Sequence, residues 1–174
     1  MSFPRSSSRT ALFMFYSVVL WGAVVSNSSA LEPPTDAAVL TVSGEIGEKN
    51  QGKQAVFDHA MFSELGMHTT VTATPWHDET MSFSGPLARS VLEAVEAKGD
   101  SVIVMALNDY EAEIPVEDFY NYDVIFATHA NGAPMNVREH GPIFVIYPFD
   151  SDAELHKETI YSRSVWQVNR LLVP

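Results

Sequence analysis

The chain has 174 residues, 46% of them hydrophobic, with 10 Lys and Arg against 22 Asp and Glu and a net charge of −12. So acidic a surface repels phosphate backbones, which disfavours nucleic-acid binding and suits a soluble protein with a basic partner surface. There is no cysteine, so disulfides, thiolate catalysis and cysteine-ligated metals are excluded.

The predicted elements begin with a leader. Arg5 and Arg9 form a basic start, residues 11–25 are apolar or small, and Ser28, Ser29 and Ala30 suit a cleavage site. An apolar run of about 15 residues is short of the roughly 20 that span a bilayer. Residues 1–30 therefore read as a secretory signal peptide, with an uncleaved anchor as the alternative. Residues 31–174 then form one domain, long enough for a single core.

After an extended stretch containing Pro33 and Pro34, residues 38–46 alternate apolar and polar, as in a half-buried strand. Residues 54–65 place Val56, Phe57, Met61, Phe62 and Leu65 at helical spacing, closed by Gly66. The Thr- and Val-rich residues 69–76 suit a strand. Ser84 as N-cap and Pro86 in the first turn predict a helix with Leu87, Val91, Leu92 and Val95 on one face, ended by Gly99. Residues 101–107 read as a buried strand, Asn108-Asp109-Tyr110 as a turn, and 111–114 as a second strand. Residues 115–122 make one or two helical turns, and 124–128 return to strand. Asn131-Gly132 is a tight-turn signal, and 143–147 and 164–173 are the last strands. The fold class is α+β, strand-rich, with one good helix.

Few patterns carry chemistry. The six histidines show no H-x-x-x-H or H-E-x-x-H pairing, so they read as loop or core residues, with zinc open only to long-range convergence. No G-x-S-x-G elbow or phosphate loop is present. Trp76, Tyr110, Tyr147, Tyr161 and Trp166 sit at strand ends or beside loops, where they are either ordinary core or walls for a planar heterocycle. Asn108, Asp109 and Gln167 could read the edges of such a ring, and Asp109 is equally suited to bonding its own turn.

Between Leu40 and Val173 the order of motifs resembles the molybdopterin-binding domain of the sulfite oxidase superfamily. LTVSGEI (40–46) stands first. FSGPLARSVL (83–92) takes the place of an aromatic-x-Gly-x-x-Leu-x-x-x-Leu motif. ALNDYEAEIP (106–115) takes that of a strand, an Asp-Gly-Tyr turn and a strand ending in proline. Asn131-Gly132, Gly141-Pro142, Tyr147-Pro148 and RSVWQVNRLLV (163–173) complete the order. The resemblance implies the sulfite oxidase fold.

The departures bear on function. Enzymes of that family hold molybdenum through a cysteine shortly before the aromatic-x-Gly motif, where this chain has Thr72-Ala73-Thr74-Pro75-Trp76. They grip the cofactor phosphate with an arginine and a lysine at the positions of Phe144 and Trp166. The chain is most similar to small periplasmic pterin-binding proteins of this fold, which regulate a membrane-bound cyclic-di-GMP enzyme through its periplasmic domain. That resemblance implies a non-catalytic periplasmic protein with a pterin ligand and no molybdenum. Trp76, Tyr110, Tyr161 and Trp166 would form the walls, Asn108, Asp109 and Gln167 the edge contacts, with Asp109 foremost. Arg163 would lie at the ligand's polar side or pair with a surface carboxylate. The alternatives are a molybdenum-cofactor oxidoreductase or redox subunit without the usual cysteine, and an interaction module with no small-molecule ligand.

Overall fold

The structure is a computed structural model that describes Met1 and residues 31–174. The expected leader lies outside the described residues. Eleven strands and four short α-helices are described, a strand-rich α+β architecture.

The largest sheet has the order β2-β1-β11-β5-β6. Its strands are β1 (Leu40–Gly44), β2 (Ala55–Phe57), β5 (Ser101–Ala106), β6 (Glu111–Pro115) and β11 (Val168–Val173). β1 and β11 are parallel, with Val42 opposite Leu171; the other pairs are antiparallel. The apolar run SVIVMA of β5 buries only alternate residues, Val102, Val104 and Ala106, because an antiparallel sheet can present one face to the core.

A second sheet has the order β3-β4-β8-β9, from Met67–Thr72, Met81–Pro86, His129–Ala130 and Ala133–Pro134. Asn131 and Gly132 turn β8 into β9 with φ of 49° and 81°, the positive pair that a tight hairpin requires. β7 (Ile125–Ala127) and β10 (Phe144–Ile146) pair antiparallel and are wholly buried. Gly85 lets β7 approach β4: a methyl group there would stand 2.0 Å from the Phe126 carbonyl oxygen.

The expected helix over 54–65 is divided. Residues Ala55–Phe57 pair with β1 as β2, and only α1, His59–Glu64, is helical. Asp58 makes the break. Its buried carboxylate caps α1 by accepting from Met61 N at 2.9 Å, and also accepts from Thr35 N and Asp36 N. Those bonds, Met61 first, hold its carboxyl down at about 2. The apolar spacing was compatible with either period, and sheet pairing decided it.

Ser84 is not an N-cap. It lies in β4, and α2 (Ala88–Ala94) is preceded by Leu87 without a side-chain cap. Of the expected face Val91, Leu92 and Val95 are buried, joined by Ala88, while Leu87 precedes the helix half-buried; the helix ends well before Gly99. β3 stops at Thr72, short of Trp76. α3 (Val116–Asn121) occupies the expected turns, whereas α4 (Glu158–Arg163) is an element the sequence did not announce. Two cores result: a large one under the five-stranded sheet, and a small one of Phe83, Ile125, Ala127, Met135, Phe144 and Ile146. Trp76 packs against both.

Candidate functional site

The residues between β3 and β4 leave the sheet after Thr72 and bring Trp76 to the seam of the two cores. Its indole meets Phe144 at 5.4 Å, Phe149 at 6.1 Å, Tyr161 at 6.1 Å and Trp166 at 5.9 Å, all edge-on. Edge-to-face pairs add about 0.5–1.5 kcal/mol each beyond the area they bury. The cluster is therefore a rigid platform rather than a loose set of rings.

One face of that platform opens into a cavity of about 310 Å3, at the small end of the range for ligand pockets. Trp76, Tyr161 and Trp166 supply aromatic surface, Ala106 and Val165 apolar floor, and Asn108, Tyr110, Glu158, Ser162 and Ser164 polar groups. The turn after β5 brings Asn108 and Tyr110 to α4. The Tyr110 hydroxyl donates to the Ser162 carbonyl at 2.9 Å, and the Asn108 side-chain oxygen accepts from Tyr110 N at 3.2 Å.

Five of the eight residues singled out from the sequence thus meet in one place: Trp76, Asn108, Tyr110, Tyr161 and Trp166. The other three do not line the cavity. Asp109 takes the turn role: its φ is 64°, its side chain is 90% exposed, and it pairs with Arg170 at 3.3 Å. Gln167, also at positive φ, donates from Nε2 to the Val137 carbonyl at 2.7 Å. Arg163 is committed to Asp118 at 2.9 Å, and the same carboxylate oxygen accepts the Tyr147 hydroxyl at 2.7 Å. Burial, and then the Asp118 bond, push the Tyr147 hydroxyl far above the usual tyrosine range. This group fastens α4 to α3 and does not face the cavity.

Glu158, Ser162 and Ser164 were missed. They sit on or beside α4, whose six residues make fewer than two turns and so leave no readable periodicity.

On the other side of the platform, His140 stacks on Phe144 at 5.3 Å and meets Trp166 at 5.4 Å and His77 at 5.4 Å. Burial lowers both histidines, and His77 lowers His140 further. His77 and His140, together with Arg138, line a separate cavity of about 370 Å3.

A family model described as oxidoreductase molybdopterin binding domain matches residues 54–151, more than half of the chain. The chain belongs to this molybdopterin-binding domain family. No curated protein matches the chain. The matched span includes the Trp76, Asn108 and Tyr110 side of the cavity and ends before α4 closes it.

Among the described residues, the lining of the aromatic cavity offers ring surface and neutral or acidic polar groups, a donor set that differs from the one the family resemblance leads one to expect for a metal cofactor. The stretch where the family's enzymes place a thiolate has only hydroxyls, and these are engaged within the fold. Thr72 Oγ1 accepts from Asp150 N at 3.1 Å, and Thr74 Oγ1 meets His77 Nδ1 at 2.7 Å. Phe144, at the expected phosphate-arginine position, is fully buried among rings. Among the described residues, no Lys or Arg lines the aromatic cavity. Thiolate is the ligand type that soft, redox-active metal sites select, and cations are what make charge-assisted bonds to a phosphate.

Proposed function

We propose that this molybdopterin-binding domain is a non-catalytic pterin-binding protein of the periplasm. In this reading it holds a pterin free of molybdenum and of the cofactor's phosphate. The observation that carries it is the cavity itself: aromatic surface from Trp76, Tyr161 and Trp166, polar groups around it and, among the described residues, no cation or thiol in its lining. Flat heterocycles bind by stacking on such rings, with polar groups at their edges. Three of the four wall positions proposed from the sequence keep that role, with Tyr110 turned to a polar contact; of the three proposed edge residues Asn108 stays at the cavity, and the α4 side takes the place of Asp109 and Gln167.

The signalling role rests on the resemblance to small periplasmic pterin-binding regulators. The protein would report pterin occupancy to the periplasmic domain of a membrane-bound cyclic-di-GMP enzyme, and the net charge of −12 suits a basic docking surface. Titrating that purified domain with pterin-loaded and pterin-free protein should give different affinities; equal affinities would remove the regulatory half of the proposal.

Releasing bound small molecules by denaturation tests the ligand. Pterin fluorescence without stoichiometric molybdenum is the expected result. Stoichiometric molybdenum would make the chain a redox domain instead. Absence of both, with no binding of added pterin, would leave an interaction module.

A further inference from the structure

The polar groups around the cavity are not equally available to a ligand. The Tyr110 hydroxyl is spent on the Ser162 carbonyl, and the Tyr161 hydroxyl lies 3.2 Å from His156 Nδ1. Ser162 Oγ donates to the Thr159 carbonyl at 2.9 Å, and Ser164 Oγ to the Ile160 carbonyl at 3.2 Å. The Asn108 oxygen is held by Tyr110 N. Among the described residues, Glu158 is the lining side chain that carries charge and makes no such bond.

The neighbouring cations are also committed. Lys157, adjacent in the chain, pairs with Glu154; Arg163 pairs with Asp118, and Arg170 with Asp109. A carboxylate therefore stands at the cavity with two acceptor oxygens and no protein donor to fill them. Enclosing it under a ligand costs free energy unless the ligand supplies donors.

We propose that Glu158 reads the two-donor edge of the bound ring, so that the cavity selects a 2-amino-4-oxo heterocycle over its 2-oxo counterpart. The inference rests on the pterin reading above and deepens it. In a pterin the ring N3–H and one N–H of the 2-amino group point the same way. A carboxylate accepts both in parallel, the fork geometry in which arginine meets carboxylates. In lumazine an oxygen replaces the 2-amino group, so the second carboxylate oxygen would face a carbonyl oxygen.

Glu158→Gln gives a test that a merely structural role would not pass. Its amide offers one acceptor and one donor, which match the N3–H and 2-oxo edge of lumazine. Fluorescence or calorimetric titration of the purified protein should show pterin bound about 10- to 100-fold more tightly than lumazine, the size of a charged hydrogen bond. In E158Q that ratio should fall to near one or invert. Equal binding of the two ligands by the unmodified protein, or an unchanged ratio in E158Q, would overturn the assignment and leave the pterin reading standing. If the unmodified protein binds neither of these ligands nor guanosine, both proposals fail. Guanosine carries the same edge on a different ring; binding of guanosine without pterin would keep the role of Glu158 and overturn the pterin reading alone.

Discussion

Trp76 meets four aromatic rings within 6.1 Å and touches both cores, so its replacement would disturb fold and site together. Trp166 is the cleaner probe because it is 36% exposed and lies at the cavity's edge. Trp166→Ala is expected to weaken pterin binding about tenfold or more, the loss of one stacking surface worth about 1.4 kcal/mol. Asp109→Ala should leave affinity unchanged, since that carboxylate pairs with Arg170 outside the cavity. Titration of both variants checks the pair of expectations, and a loss in D109A would return Asp109 to the site. Phe144→Arg makes a third test. Restoring the family's cation at a fully buried position among rings should cost several kcal/mol of stability, seen as a lowered Tm, without creating a phosphate grip.

Helix α4 brings Glu158, Tyr161 and Ser162 to the site, and its placement depends on contacts far along the chain. Arg163 and Tyr147 both donate to Asp118 Oδ2 of α3, and Tyr110 donates to the Ser162 carbonyl. Arg163→Ala should therefore destabilise the protein by about 1–3 kcal/mol, the range for hydrogen bonds to a charged partner, and weaken pterin binding although Arg163 does not touch the cavity. Thermal melts and titration read the two effects, and Arg163→Lys should recover part of each. Elements with strong local signals were legible in advance: the alternation of β1, the Asn131-Gly132 hairpin and the apolar face of α2. The misreadings fall where local pattern is degenerate. Val56 and Phe57 satisfy a helical spacing, yet β2 wins them through pairing with β1. Ser84 resembles a cap, yet pairing of β4 with β3 and β8 claims it.

For the whole molecule, acid should weaken the fold in two steps of the same sign. His77 and His140 titrate below the usual value near 6.5 because burial disfavours their charge. The unfolded chain thus takes up protons first, and stability declines as pH falls below about 6.5. Asp58 works lower down: its depressed carboxyl stabilises the folded state above the ordinary value near 4, and that contribution is lost as pH falls toward about 2. Tm measured from pH 7.5 to 2.5 should fall in both windows. A Tm flat between pH 7 and 5 would contradict the histidine step.

Composition and motif order were enough to rule out thiol chemistry and disulfides, to identify the α+β class and to point to the family, because these depend on residue types and local spacing. They also named Trp76, Asn108, Tyr110, Tyr161 and Trp166. Only the tertiary structure decided which polar groups remain free to meet a ligand. Asp109, Arg163 and Gln167 find partners 61, 45 and 30 residues away in the chain, and Glu158 finds none among the described residues. A side chain's availability is set by what the rest of the chain brings beside it, and no local pattern encodes that.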